Sequence, residues 1–138
     1  MSTNEKIHLV VEILSCRDLL AGDRTGLSDP YVKVKLGKKE LHRTNHIMKT
    51  LNPVFDASSK SKFILDCQYQ ELVDAGGLEL DIKDWDAGFR GNDRLGSVVI
   101  PPTDLLNPQE EKEYAITPPP GGTKYSKERT DAGFVTIS

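Results

Sequence analysis

Long apolar runs are absent from this sequence. No stretch approaches the ~20 apolar residues that a membrane-spanning helix needs, and the polar residues 1–6 do not predict a secretory leader. Cysteine is scarce: Cys16 and Cys67 are too few to form a disulfide framework. These absences favour a cytoplasmic, reducing setting.

Two functional classes lack their usual signals. No basic patch with interleaved aromatic residues is present, so nucleic acid is not an expected partner. No Ser/His/Asp or Cys/His arrangement stands out, and we predict no catalytic residues and no enzyme activity. His42 and His46 lie four residues apart with no acid between them and no helical pattern, so we expect surface histidines rather than a zinc site.

Acidic residues, by contrast, are concentrated in residues 84–93. Asp84, Asp86 and Asp93 lie within ten residues, between the strand-like segments 78–83 and 95–100. Carboxylates crowded on one loop repel each other by about 1 kcal/mol per pair at ~4 Å in water, and by more where they are partly buried. Such a loop favours a bound cation, and Ca²⁺ suits it because Ca²⁺ takes six to eight oxygen ligands in a flexible shell.

One loop cannot fill that shell, and a second acidic loop occurs earlier in the chain. It spans residues 22–31 and places Asp23 and Asp29 between two further strand patterns. An EF-hand does not fit the later loop, because its sixth position is Phe89 instead of glycine and its twelfth is Leu95 instead of glutamate. The DxD motif of nucleotide-sugar transferases, which Asp84 and Asp86 also match, requires a large α/β domain.

Three motifs, in this order, resemble those of the C2 domain family. They are DRTGLSDPYV at residues 23–32, TLNPVF at 50–55 and DWD at 84–86 followed by Asp93. The resemblance covers nearly the whole chain and implies a calcium site. The side chains of five aspartates and two main-chain carbonyls would be its ligands: Gly22, Asp23, Asp29, Asp84, Trp85, Asp86 and Asp93. The alternative is that aspartate simply caps turns in these loops.

The formal net charge of −3, from 18 basic and 21 acidic residues, is consistent with a localised acidic site. Without the five loop aspartates the chain would carry +2, so the acidity is confined to one end. We therefore predict Ca²⁺-dependent binding to anionic phospholipid membranes, with recruitment from the cytoplasm when calcium rises. Candidate lipid contacts are the apolar and cationic residues at the two loop tips: Arg24, Leu27, Phe89 and Arg90.

A basic strand face is a second candidate contact. In protein kinase C-like C2 domains this face binds phosphoinositide headgroups, and the residues that match that pattern here are Tyr31, Lys33, Arg43 and Asn92. Lys35 is expected on the same strand face and is a further candidate contact. Lys83 stands where that pattern has tryptophan, and Asn45 where it has lysine. The alternative is a solvated basic face with no ligand.

Eight short strand patterns separated by turn signals predict the fold class. We expect an all-β, eight-stranded antiparallel β-sandwich. The resemblance implies type II topology, because the first strand begins at Ile7 and a strand near residues 133–137 closes the chain. We expect one domain over 1–138, with a core of about 6–138.

Two other functions remain open. The chain could be a C2-type protein-interaction module with calcium in a structural role. It could also be a metal-dependent hydrolase, although it offers no nucleophile or general base.

Overall fold

The computed structural model describes residues 5–22, 26–85, 93–107, 111–122 and 132–138. Within them the chain forms an all-β sandwich of two antiparallel four-stranded sheets, as the sequence predicts. The strands are β1 (Lys6–Arg17), β2 (Pro30–Leu36), β3 (Lys39–Arg43), β4 (Lys62–Gln68), β5 (Leu78–Asp84), β6 (Asp93–Ile100), β7 (Lys112–Ala115) and β8 (Phe134–Ile137).

The sheets have the strand orders β4-β1-β8-β7 and β3-β2-β5-β6. β8 therefore lies inside its sheet, where Val135 pairs with Cys16 of β1 and with Tyr114 of β7. The strand that closes the chain is thus part of the sandwich, in agreement with the predicted type II topology.

Alternation of apolar and polar side chains produces these strands and their shared core. In β4, Phe63, Leu65 and Cys67 are buried while the intervening residues are exposed. β1 turns Ile7, Val11 and Ile13 to the same interior. Cys16 and Cys67 are both buried and unpaired, and burial raises the pKa of the Cys16 thiol.

In the described part of the chain, two short α-helices lie between strands, besides one 3-10 turn at Ala57–Ser59. α1 (Tyr69–Asp74) was not predicted; its first turn is stabilised by Glu71, whose carboxylate accepts a hydrogen bond from the Gln68 N–H. α2 (Pro102–Leu106) begins after Pro101. Pro102 occupies the first helical position, where its missing N–H costs no hydrogen bond.

No helix among the described residues is long and apolar enough to span a membrane.

Candidate metal centre

The two acidic loops meet at one end of the β3-β2-β5-β6 sheet. The first loop leads into β2, the second joins β5 to β6, and these three strands are neighbours in the sheet. Pro30, which begins β2, pairs with Asp84 at the end of β5, and Asp84 in turn pairs with Asp93 at the start of β6. Strand register therefore brings Asp29, Asp84 and Asp93 to one end of the sandwich.

Backbone N–H groups orient two of these carboxylates. The Asp29 N–H donates to Asp84 Oδ1 over 2.7 Å, and the Lys49 N–H donates to Asp29 Oδ1 over 2.6 Å. The Trp85 N–H donates to the Asp29 carbonyl over 2.9 Å. Each carboxylate thus has one oxygen fixed by the main chain, an arrangement that holds acidic side chains in place without neutralising them.

Gly22 allows the first loop to pack against Asp84. Its N–H donates to the Ser28 hydroxyl over 2.8 Å, and that hydroxyl donates to the Leu20 carbonyl over 2.9 Å. A Cβ at Gly22 would overlap the Asp84 carboxylate at Oδ2. The site therefore requires glycine here. Ser28 is fully buried. Its hydroxyl connects the Leu20 carbonyl to the Gly22 N–H, a role that was not predicted from the sequence.

Several predicted site residues lie outside the described residues. They are Asp23, Arg24, Asp86, Phe89, Arg90 and Asn92. In the part of the chain that the structure describes, no three His, Cys, Asp or Glu side chains group as a metal site. The donor set is nevertheless suited to Ca²⁺, because oriented carboxylates from two loops supply the oxygen ligands that this ion prefers. Asp29 and Asp84 would hold it, with Gly22 leaving room for the Asp84 carboxylate.

The two histidines contact aromatic rings instead of projecting freely from the surface. The His46 ring stacks on Trp85 with centroids 4.0 Å apart and planes inclined by 2°. The His42 ring stacks on Phe63 at 5.2 Å, and its Nε2 lies 2.7 Å from the Lys60 carbonyl oxygen. Both are half-buried, so they remain partly exposed at the surface while each ring packs against an aromatic side chain. The contacts join residues that are distant in sequence.

The register of β2, β3 and β5 places the basic residues of these strands side by side. Lys33 pairs with Arg43 on one side and with Asp81 on the other. Tyr31 shares this face but is only 3% exposed, and the Arg43 guanidinium lies 5.7 Å from its ring centroid. Tyr31 therefore supports Arg43 and offers little surface to a ligand.

Two cations that the prediction did not include join the same face. Lys83 pairs with Tyr31 on β2 and with Arg94 on β6. Burial, and then the neighbouring Lys33 charge, lower the pKa of the Lys83 ammonium. The face thus carries five cationic side chains. The β2–β5 pairing adds Lys83 and the β5–β6 pairing adds Arg94, and neither register was visible in the sequence.

Acidic residues on the face neutralise part of this charge. Glu40 lies 2.8 Å from Arg43 and 3.3 Å from Lys33, and hydrogen bonding from Arg43 lowers the pKa of Glu40 from 4.5 to about 2. The buried Asp81 carboxylate lies 3.1 Å from Arg94 Nε and 3.7 Å from Lys35 Nζ. The cations are therefore held in place by acids, and their net charge is reduced.

A groove of about 390 Å³ lies at the other end of the molecule. Its walls include Val10, Ile100, Leu105 and Tyr114. Ile100 ends β6, whereas Asp93 begins that strand, so the groove and the acidic loops are separated by the length of the sheet.

Comparisons with known proteins identify the C2 domain family, which is the family that the sequence motifs resemble. The C2 domain family model matches residues 7–116. Synaptotagmin-1 of Caenorhabditis elegans is 36% identical over 129 residues, which cover 91% of this chain and 28% of that protein. The chain spans less than a third of the length of the curated relatives it matches.

Solved structures agree in fold. A C2 domain of plant Extended Synaptotagmin 1 superposes with a TM-score of 0.65 at 19% identity, covering 99% of this chain and 95% of that one. Two calcium-bound C2 domains of Extended-Synaptotagmin 2, solved as one chain, give a TM-score of 0.62 at 18% identity, covering 94% of this chain and 44% of that one. Sequence motifs, strand order and family match all agree, and the chain belongs to the C2 domain family.

Proposed function

We propose that this chain binds Ca²⁺ in the two acidic loops and, once loaded, binds anionic phospholipid membranes. The observation that carries the proposal is the pair Asp29 and Asp84, which come from different loops and are each oriented by a backbone N–H. Asp23, Asp86 and Asp93 complete the proposed ligand side chains, and the carbonyls of Gly22 and Trp85 add main-chain ligands. Calcium supplies positive charge and coordination positions that lipid phosphates fill.

The proposed switch is electrostatic. Five aspartates give the loop end a charge near −5, which repels an anionic surface; two Ca²⁺ ions would reduce it to −1, and three would make it +1. Arg24 and Arg90 then gain about 1 kcal/mol each from the negative surface potential of the membrane. Leu27 and Phe89 add apolar burial in the lipid interface. On this proposal the chain is one C2 domain that moves from the cytoplasm to a membrane when calcium rises.

Family membership supports this proposal, and one similar structure is described as calcium bound. The other function to be distinguished is a protein-interaction module in which calcium is structural. Sedimentation with anionic liposomes, with and without Ca²⁺, separates the two. Calcium-dependent sedimentation supports the membrane function, whereas calcium binding without sedimentation supports the protein module.

The metal ligands are tested by the double variant Asp84→Asn with Asp86→Asn. We expect calcium binding in calorimetry to be abolished, because two ligand charges are lost. The fold should persist, because an asparagine oxygen at position 84 can still accept the Asp29 N–H.

The matched control for this variant is Asp66→Asn with Asp74→Asn. It removes the same two charges at exposed positions on β4 and α1, so its calcium binding should equal that of the unmodified protein. Unchanged calcium binding in the Asp84/Asp86 variant would show that these loops are not the site.

The five cations of the basic face favour a second membrane contact, with a phosphoinositide headgroup. Lys33, Lys35, Arg43, Lys83 and Arg94 are distributed over all four strands of one sheet, and Asn92 would extend the contact. Binding to phosphoinositide vesicles that survives calcium chelation and is lost in Lys83→Ala would support it.

A further inference from the structure

β8 covers only part of one edge of β1. Glu12 exchanges two main-chain hydrogen bonds with Ser138, at 3.1 and 2.9 Å, and β8 itself ends at Ile137. β1 begins well before this point, at Lys6. Between Lys6 and Val11, β4 is the single strand of the described residues that pairs with β1. The other edge of β1 is therefore open along this length.

Strand geometry determines which main-chain groups face this open edge. The N–H and C=O groups of a strand point to the same side at every second residue. Those of Glu12 point towards β8, whereas the Ile13 N–H donates to the Ser61 carbonyl over 2.8 Å, on the β4 side. The main-chain groups of His8 and Val10 therefore point away from β4, into the open edge. A strand edge of this kind is a template for pairing with another strand.

The groove of about 390 Å³ follows the open edge. Its lining includes residues 9–12 of β1, Leu105 of α2 and Ser138. Leu9 alternates with buried residues of β1 but is itself only half-buried, because its side chain borders the groove. The volume lies within the ~300–1,000 Å³ that is typical of ligand pockets. The open main-chain groups thus have an apolar cavity beside them.

The groove offers two kinds of interaction to a ligand. The N–H and C=O groups at alternate residues of β1 match the main chain of an extended peptide, as in the addition of a strand to a sheet edge. Leu9, Ile100 and Leu105 offer apolar contacts. Alternate side chains of an extended peptide lie on one face, so every second residue of such a peptide would reach these contacts.

The charged side chains around the groove balance each other. They are two acids and two bases: Glu12, Asp104, Lys62 and Lys112. Asp104 is neutralised locally, because Lys112 Nζ lies 2.8 Å from its carboxylate and the Tyr114 hydroxyl donates to it over 2.8 Å. An anionic ligand would therefore meet no excess of positive charge, whereas a peptide segment without net charge is complementary to the groove.

We propose that the groove binds an extended, uncharged peptide segment of a partner protein, which adds a strand antiparallel to β1. The segment pairs with the main chain of His8 and Val10, and its alternate apolar side chains enter the groove against Leu9 and Leu105. It has about six residues, the usual length of a strand. The groove lies at the opposite end of the sheet from the acidic loops, so this inference does not rest on the proposed function.

A synthetic peptide library supplies the probe. Each member has about six residues, with valine, isoleucine or leucine at every second position and threonine, serine or glutamine between them. We expect members of the library to bind the chain equally well with Ca²⁺ and with a chelator. An isomer of each binder that carries its apolar residues consecutively should bind at least about tenfold more weakly, because fewer apolar side chains enter the groove.

Methylation of the peptide backbone tests the main-chain pairing. A methyl group on a peptide amide that donates to His8 or Val10 should weaken binding by about tenfold, because the hydrogen bond is lost. The alternate amides are the matched control: they point away from β1, and their methylation should leave binding nearly unchanged. In the protein, hydrogen exchange at the Val10 amide should slow by at least about tenfold when peptide binds.

Substitution of Val10 tests the same contact from the protein side. Val10→Pro removes the N–H that faces the open edge and keeps the pairing with β4, since proline is tolerated where a strand N–H is unpaired. We expect peptide binding to weaken by about tenfold. Val10→Ala keeps the N–H and should bind nearly as well as the unmodified protein. Urea unfolding checks that Val10→Pro is folded; if it is not, the methylated peptides decide.

The outcomes separate this inference from the proposed function. Binding that is weakened by methylation of alternate amides only, and by Val10→Pro but not by Val10→Ala, would establish the site. Absence of binding across the library, or binding that does not depend on which amides are methylated, would overturn it. Sedimentation with anionic liposomes tests the acidic loops at the other end of the sheet, so either result can fail without the other.

Discussion

Gly22 determines how closely the first acidic loop approaches Asp84. The residue is buried, and a Cβ at this position would overlap the Asp84 carboxylate. Gly22→Ala should therefore push the carboxylate out of position and weaken calcium binding by at least about tenfold, since misplaced ligands lose coordination geometry. Titration calorimetry without lipid measures this loss directly.

Gly37→Ala serves as the control for Gly22→Ala. Gly37 has a φ of 61°, and a methyl group added to it would meet only open space, so alanine there strains the β2–β3 turn far from the acids. We expect Gly37→Ala to lower stability by about 1 kcal/mol with calcium affinity intact. If Gly22→Ala binds calcium as tightly as Gly37→Ala does, the packing of Gly22 on Asp84 does not shape the site.

The sequence predicted which acidic residues belong to the candidate site, but it did not predict the side-chain contacts around them. Asp29 and Asp84 could be predicted from the sequence because acidic residues clustered in a loop between two strands repel each other and therefore indicate a bound cation. Ser28 and His46 could not, because their roles depend on partners brought close by folding: Ser28 links Leu20 to Gly22, and His46 meets Trp85 across 39 positions. The chemistry of a side chain can be read locally, but its contacts cannot.

At the level of elements, Glu40 of β3 links the β2–β3 hairpin through its ion pair with Lys33 of β2. Its carboxylate accepts hydrogen bonds from Arg43, and its pKa falls from 4.5 to about 2. A depressed carboxyl pKa stabilises the folded state fully above pH 4.5, and this contribution is lost as the pH falls towards 2. Because Glu40 is largely exposed, the contribution is about 0.2–1 kcal/mol.

Glu40→Gln should therefore be less stable than the unmodified protein at pH 7, and the two should converge near pH 2. Urea unfolding midpoints across this range measure the difference, and Glu79→Gln, in the neighbouring strand, is the control. A stability difference between Glu40→Gln and the unmodified chain that stayed constant down to pH 2 would mean that ionisation of Glu40 is not the cause.

The strands were predicted well because an alternating pattern requires only local sequence. Strand patterns at residues 78–83 and 95–100 correspond to β5 (Leu78–Asp84) and β6 (Asp93–Ile100) in the structure. α1 was missed because its six residues bury only Leu72, which is too little apolar periodicity to signal a helix. β1 extends to Arg17 because its pairing with β8 continues after the register shift between Ile13 and Ser15.

For the molecule as a whole, calcium should act as a stabilising ligand. The proposed ligands come from both loops, so the complete site exists only in the folded chain. At a free Ca²⁺ concentration 100 times the dissociation constant, one site adds about 2.7 kcal/mol to the free energy of unfolding. The melting temperature should rise with Ca²⁺ and return to its starting value when a chelator is added.

Differential scanning calorimetry at several Ca²⁺ concentrations gives this dependence, and Mg²⁺ at the same ionic strength controls for charge screening. Mg²⁺ should have a much smaller effect because it demands strict octahedral geometry and releases its waters reluctantly. A melting temperature that does not respond to millimolar Ca²⁺ would contradict a calcium site in the folded loops.

The hydrogen bond from the Asp29 N–H to Asp84 Oδ1 also affects which substitutions at position 84 such a domain can accept during evolution. Asparagine at position 84 satisfies the same donor, so one substitution removes a ligand charge while the two loops stay joined. A descendant could therefore lose calcium dependence in a single step and keep its strands, its basic face and any calcium-independent partner. Replacement by alanine would leave the Asp29 N–H without its acceptor, so amide replacement is the less disruptive route to a metal-free paralogue.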